Sequence, residues 1–356
     1  MDGDCTFPHR DKEAIRNIEK RNRSMKSRDS QQLDSRVRRR WRARLLSWYA
    51  HNRRDLPWRS DPHPYRVWLS EVMLQQTRVA AVLEHYHRFL QRFPTLEKLA
   101  AARESSVLAS WSGLGYYRRA RMLHAAAKTI VKKHGGEFPG SVAELRSLPG
   151  IGRYTAAAIA SIVFNVPVAV VDGNVERVLS RALGISGTET VWAAAEELLS
   201  RPRPGDFNQA MMELGATVCL PRQPQCPICP VFTFCASRGS LEPANTVLRQ
   251  KQREISYTLD RRDKSIFLVQ RPKDASLMPG MWELPERLGI QEMSPQAREG
   301  VTFRLRHSIT VTDYVVNIIE GSTPTGTLGQ WVEKRRIARL PLTGLATKIL
   351  RRARVI

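Results

Sequence analysis

The chain has 356 residues, 42% of them hydrophobic, and carries 57 Lys and Arg against 34 Asp and Glu. That length admits more than one domain. No apolar run approaches the roughly 18 residues that would span a bilayer, and residues 1–40 hold no apolar signal core, so neither membrane insertion nor secretion is expected. The formal net charge of +23 attracts polyanions, of which nucleic acid is the commonest. Charge alone does not separate DNA from RNA, or either from a merely soluble basic protein.

Residues 1–40 lack apolar periodicity and read as a disordered basic tail. From Trp41 the pattern turns helical, with Trp41, Leu45, Leu46, Trp48 and Tyr49 recurring on one face. Pro57, Pro62 and Pro64 mark a loop. Helices are then predicted over Tyr65–Ala80, Ala81–Arg92, Ser105–Trp111, Arg118–His134, Val142–Leu148, Tyr154–Phe164, Val175–Leu183 and Trp192–Leu199. Gly113–Gly115, Gly135–Gly136 and Pro149–Gly152 punctuate them. Residues 41–235 therefore read as an all-α region. Residues 236–252 form a polar linker. Beyond it, over 253–356, the period shifts towards two: Ile266–Gln270, Val301–Leu305 and Tyr314–Ile319 read as strands and Leu345–Arg352 as a helix, giving a smaller α+β domain.

Four of the five cysteines fall within residues 219–235, spaced Cys219-x6-Cys226-x2-Cys229-x5-Cys235, and Cys5 stands alone. Such clustering is wrong for a secreted disulfide framework and right for a metal centre in a reducing compartment. Two separate zinc knuckles need more chain. The compact spacing favours a [4Fe–4S] cluster, with zinc the alternative. Pro221, Pro224, Pro227 and Pro230 make this a ligand loop, and Arg222 within it is placed to meet a phosphate.

Leu148-Pro149-Gly150-Ile151-Gly152-Arg153 joins two predicted helices. Its glycines allow a tight turn, and the helix that follows offers free N–H groups to an anion. Such a hairpin grips a DNA phosphate without reading sequence, although an ordinary helix connection looks similar. Two carboxylates stand out. Glu71 lies in the apolar run Val67-Trp68-Leu69-Ser70-Glu71-Val72-Met73-Leu74, where a carboxyl has a raised pKa and suits a general acid. Asp172 follows Val168–Val171 and precedes a helix, where a carboxylate is stabilised as the anion, whether as a working group or as a plain N-cap. Two acids pushed apart in this way can divide roles at a glycosidic bond.

Ser70-Glu71-Val72-Met73-Leu74-Gln75-Gln76-Thr77 resembles a signature of the adenine DNA glycosylases, the MutY family of helix–hairpin–helix glycosylases. Residues 113–121, 171–175 and 207–215 resemble its other blocks, and the cysteine spacing is similar to that of some branches. The resemblance implies a multidomain protein: an all-α helix–hairpin–helix glycosylase region with an iron–sulfur loop, then a smaller α+β Nudix-like domain. It implies that Glu71 protonates adenine, that Asp172 stabilises positive charge on the sugar, and that Tyr154 and Asn174 position them. Arg59 would support the site. Gln76 and Tyr116 would wedge into the base stack beside Gln75 while adenine is flipped out. Leu148, Gly150, Gly152 and Arg153 would hold the DNA backbone, and Cys219, Cys226, Cys229 and Cys235 a [4Fe–4S] cluster.

The related endonuclease III enzymes carry a lysine in the hairpin that forms a Schiff base; here Gly152-Arg153-Tyr154-Thr155 has none. The expectation is a monofunctional enzyme acting on adenine opposite 8-oxoguanine or guanine in double-stranded DNA. An endonuclease III-like glycosylase-lyase for oxidised pyrimidines is the alternative, and a non-catalytic cluster-bearing regulator a third reading. Residues 267–272 and 278–285 resemble the Nudix-like lesion-recognition domain, but no glutamate cluster follows Glu286, so no pyrophosphatase activity is expected. Where the family has Phe-Ser-His in a lesion loop, this chain has Leu305-Arg306-His307-Ser308. His307 and Ser308 are the candidate contacts. A monomer in the bacterial cytoplasm, at the nucleoid, is expected.

Overall fold

The computed structural model describes residues 34–240, 251–287, 301–309 and 312–356. Helix α1 (Ser35–Asn52) starts within the predicted tail, because Asp34 caps it by accepting from the Arg36 amide. The tail assignment is thus corrected from residue 35 onward; residues 1–33, with Cys5, lie outside the described residues. After α2 (Pro57–Ser60) come α3 (Pro64–Leu74), α4 (Val79–Arg92), α5 (Leu96–Ala100), α6 (Glu104–Trp111) and α7 (Arg118–His134). The helix predicted over Tyr65–Ala80 is two helices. It breaks at Gln75–Arg78, where Gln76 turns left-handed at φ +56°. Then follow α8 (Val142–Ser147), α9 (Arg153–Val163), α10 (Gly173–Leu183), α11 (Thr188–Leu198) and α12 (Pro204–Thr217). The boundaries of α10 and α11 sit earlier than predicted because their caps are Asp172 and Gly187.

These helices bury two separate cores. Trp68, Met73, Phe89, Trp111, Leu123 and Ile159 belong to one, built from α3–α9. Trp41, Leu45, Leu179, Leu198 and Phe207 belong to the other, in which α1 from the N-terminal side packs with α10–α12. A cleft runs between the two lobes, so residues far apart in sequence face each other there. No described helix is long and apolar enough to cross a membrane.

The C-terminal region holds β1 (Lys251–Leu259), β2 (Arg261–Arg262), β3 (Ser265–Gln270), β4 (Trp282–Glu283), β5 (Val301–Ile309), β6 (Thr312–Glu320), β7 (Gln330–Glu333), α13 (Lys334–Ile337) and α14 (Gly344–Arg352). Strand β1 begins inside the predicted linker, whose residues 241–250 lie outside the described ones. One sheet runs β1-β6-β5, parallel between β1 and β6 and antiparallel between β6 and β5. In the other, β3 pairs antiparallel with β2, β4 and β7. Leu259, Leu268, Val316, Ile318 and Ile349 fill the core between sheets and α14. Met281 crosses over and packs into the α3–α9 core, and the Tyr117 hydroxyl donates to the Leu342 carbonyl at 2.9 Å, so this region docks on the first lobe.

Candidate active site

A cavity of about 990 Å³ opens in the cleft, with Glu71, Gln75, Gln76 and Tyr154 on one side and Asp172, Asn174, Met212 and Glu213 on the other. Glu71 sits on α3 among Val67, Leu69, Val72 and Met73, all buried. Burial pushes its carboxyl up to about 7; the Tyr154 hydroxyl bond opposes this, and the Asp172 charge adds to it. Tyr154, one residue into α9, donates its hydroxyl to Glu71 Oε2. Burial and the two carboxylates push the Tyr154 phenol well above its ordinary value, so it remains a donor. The sequence pattern therefore puts a neutral-capable acid in a dry wall, and a tyrosine 83 residues away fixes its orientation.

Asp172 is built differently. It caps α10, its Oδ1 accepting from the amides of Asn174 at 3.0 Å and Val175 at 2.8 Å. Asn174 Nδ2 donates to Oδ2 at 2.8 Å. Three N–H groups and the positive end of α10 thus converge on one carboxylate. Asn174 is itself held by Arg177 Nη2 at 2.9 Å. The same guanidinium reaches the Gly215 carbonyl at 2.7 Å and, through Nε, the Cys219 carbonyl at 2.9 Å. A continuous chain of hydrogen bonds thus joins Asp172 to the first cysteine of the loop. Gly215 permits this approach of α12 to α10: a Cβ there would lie 2.6 Å from Asn174 Cβ.

Glu213 on α12 carries no solvent exposure. Burial alone would raise its carboxyl, but Arg54, at 2.7 Å, and Arg59, at 2.8 Å, hold it down to about 2. Arg59 thus stands on the cavity wall, anchored from behind. Sequence reasoning anticipated Arg59 but neither Glu213 nor Arg54 nor Arg177; an apolar helix face bearing one acid was the available signal for Glu213.

The cleft rim carries the other candidates. Gln76 and Tyr116 are exposed, Tyr116 by 50%, and both hold left-handed backbone. Gln75 contacts Thr155 Oγ1 at 3.4 Å. The hairpin joins α8 to α9. Ser141 caps α8, its hydroxyl accepting from the Glu144 amide and donating to Glu144 Oε2, and Leu148 is buried beneath the turn. Gly150 has φ +74°, and a Cβ there would lie 2.5 Å from Met122 Cβ. Gly152 caps α9, so no side chain of the cap residue bonds the first amides of the helix. Arg153 pairs with Glu189 at 3.0 Å and lies 3.8 Å from the Trp192 ring centre.

Cys219, Cys226, Cys229 and Cys235 line one small apolar cavity, bounded by two short 3-10 turns, Cys226–Ile228 and Phe232–Phe234. Among the described residues no three His, Cys, Asp or Glu are close enough to ligate one ion. Arg222 is exposed on the loop. His307 and Ser308 are not brought to the cavity. They lie on β5, where His307 pairs with Tyr314 and Ser308 donates to Asp313 Oδ1. Burial, then Lys348, pushes the His307 imidazole down.

Residues 69–203 match the model of the HhH-GPD superfamily of base excision DNA repair proteins. The adenine DNA glycosylase of Schizosaccharomyces pombe is 33% identical over 329 residues, covering 72% of this chain and 71% of that protein. The adenine DNA glycosylase of Mus musculus is 41% identical over 309 residues, covering 69% of this chain and 60% of its own length. Two further mammalian relatives are covered over only 52% and 40% of their lengths. A solved thermostable thymine-DNA glycosylase superposes with a TM-score of 0.54 at 28% identity, covering 57% of this chain and 97% of that one. With a likeness of this extent, and an acid and a capped aspartate facing each other across a helical cleft, the chain belongs to the adenine DNA glycosylase family of helix–hairpin–helix base-excision repair proteins.

Proposed function

We propose that this protein excises adenine mispaired with 8-oxoguanine or guanine in duplex DNA and leaves an abasic site without cutting the strand. The observation that carries the reading is the pairing of a buried Glu71, pushed to about 7, with an Asp172 carboxylate that receives three N–H bonds. An acid near neutrality can give a proton to the flipped adenine and make it a leaving group. A fixed anion across the cavity stabilises the positive sugar that develops as the glycosidic bond breaks. Tyr154 orients Glu71, and Asn174 orients Asp172. Gln76 and Tyr116 fill the stack that the adenine leaves, and the hairpin amides hold a backbone phosphate. No lysine stands in the hairpin to form an imine, which supports a monofunctional enzyme over the glycosylase-lyase alternative.

The cysteine loop fits a [4Fe–4S] cluster. Burial pushes the Cys229 thiol up to about 11, so four thiolates in this apolar cavity need a compensating metal charge. A four-iron cube takes one thiolate from each of four cysteines, and Cys219, Cys226, Cys229 and Cys235 all line this one cavity. The cluster's contribution would be to shape residues 219–235 against DNA. The C-terminal region serves as a Nudix-like lesion reader without pyrophosphatase activity, with His307 and Ser308 on β5 as its candidate contacts. The test is a single-turnover assay on duplexes with adenine opposite 8-oxoguanine, with and without hot alkali. Strand breaks only after alkali, lost in Glu71→Gln, are expected. Breaks without alkali would restore the lyase reading, and no product would leave a DNA-binding regulator.

A further inference from the structure

The two exposed rim residues stand on separate turns that a single half-buried side chain ties together. Helix α3 ends at Leu74, and its last carbonyls have no partners within the helix. Arg119, in the first turn of α7, supplies them. Its Nη1 donates to the carbonyls of Val72 at 2.9 Å, Met73 at 3.0 Å and Gln75. Its Nη2 donates to Thr77 Oγ1 at 3.2 Å and to the Leu114 and Gly115 carbonyls at 3.2 and 3.4 Å. One guanidinium thus closes both the turn that presents Gln76 and the turn that presents Tyr116. Its carbon lies 5.3 Å from the Tyr116 ring centre and 5.6 Å from that of Trp111. Its Nε is buried without a partner among the described residues.

The turns themselves are unusual. Gln76 at φ +56° and Tyr116 at φ +47° occupy backbone where glycine is the ordinary choice. Such strain persists only where surroundings enforce it, and it gathers at functional sites. A plain connection would use glycine at both places. Here two exposed side chains are kept instead: Gln76 lines the active-site cavity, and both line a neighbouring cavity of about 390 Å³.

We propose that Arg119 is a positioning residue that locks the Gln76 and Tyr116 turns into one rigid unit, so that both side chains enter the base stack together. The inference rests on the reading that these two residues fill the opened stack. Lysine cannot substitute: a point charge on a flexible stem lacks the planar fork that reaches two turns at once.

The test uses the full chain and Arg119→Lys, with Thr77→Val as a milder variant that removes one acceptor and leaves the guanidinium. Amide hydrogen exchange in the free protein is the first readout. Faster exchange in both turns, with α3 and α7 otherwise unchanged, is expected; loosening of one turn or neither would overturn the proposal. The second readout is single-turnover excision from two duplexes, one with adenine opposite 8-oxoguanine and one with adenine opposite an abasic gap, where opening the stack is easy. A loss of roughly tenfold to a hundredfold on the first and little on the second is expected. Equal losses on both would reduce Arg119 to a structural role. A parent chain that excises from neither would count against the proposed function alone, and the exchange result would still decide the role of Arg119.

Discussion

The two walls of the cleft solve opposite problems with the same functional group. On the α3 side, Glu71 is buried on a helix whose Val67, Leu69, Val72 and Met73 are buried too, and it accepts from a single phenol, so the carboxyl is driven towards its neutral form. On the α10 side, Asp172 meets three N–H groups, and a guanidinium behind Asn174 ties that arrangement to the cysteine loop. Desolvation tunes protonation on the Glu71 wall, whereas three N–H donors fix the position of the carboxyl on the Asp172 wall. The first depends on packing and the second on a hydrogen-bond relay, so the two walls should fail in different ways.

The largest expected effect separates them by chemistry. Glu71→Gln and Asp172→Asn should each lower single-turnover excision by roughly 10²- to 10⁴-fold while DNA binding persists. A Glu71 value of about 7 folded against 4.5 unfolded means that its stability contribution is full below about 4.5 and is lost as pH rises through about 7. Glu71→Gln should therefore gain on the order of 3 kcal/mol at alkaline pH, measured by denaturant melts. A Glu71→Gln protein no more stable than its parent above neutrality would deny the dry wall.

Glu213→Gln should cost about 3–5 kcal/mol of stability, because it leaves Arg59 buried and uncompensated. The paired carboxylate sits near 2, so its contribution is present above 4.5 and fades as pH falls towards 2. Arg177→Met tests the relay. Excision should fall roughly 10- to 100-fold, as for other groups that orient a working side chain. Unchanged excision would mean that Asn174 holds Asp172 without help. Gly150→Ala is the smallest, at about 1–3 kcal/mol, from a φ of +74° and the Met122 clash. It should weaken DNA binding without altering the pH profile of excision.

The two walls were also unequally readable from sequence. Glu71 announced itself because one acid interrupts a run of apolar residues, and Asp172 because a cap is a local event with a local signature. The hairpin glycines were readable for the same reason. What escaped was long-range. Arg54 and Glu213 are 159 residues apart, and nothing near either names the other. Arg177 and Arg119 look like two more solvated cations in a chain of net charge +23, and only the folded lobes surround them with carbonyls. The break at Gln75–Arg78 was missed because helical apolar spacing continues through Val79 and Val82. The start of α1 was missed because six arginines between 36 and 44 masked a capped helix.

On the proposed mechanism Glu71 is the proton donor, at a site that raises its carboxyl to about 7 and so keeps a substantial neutral fraction near neutral pH. The most direct measurement is the single-turnover excision rate against pH, run for the parent and Glu71→Gln on adenine opposite 8-oxoguanine. The parent rate should fall as pH rises through about 7, and the residual Glu71→Gln rate should lack that titration. A parent rate that stays flat through neutrality, or the same titration surviving in the variant, would contradict that mechanism.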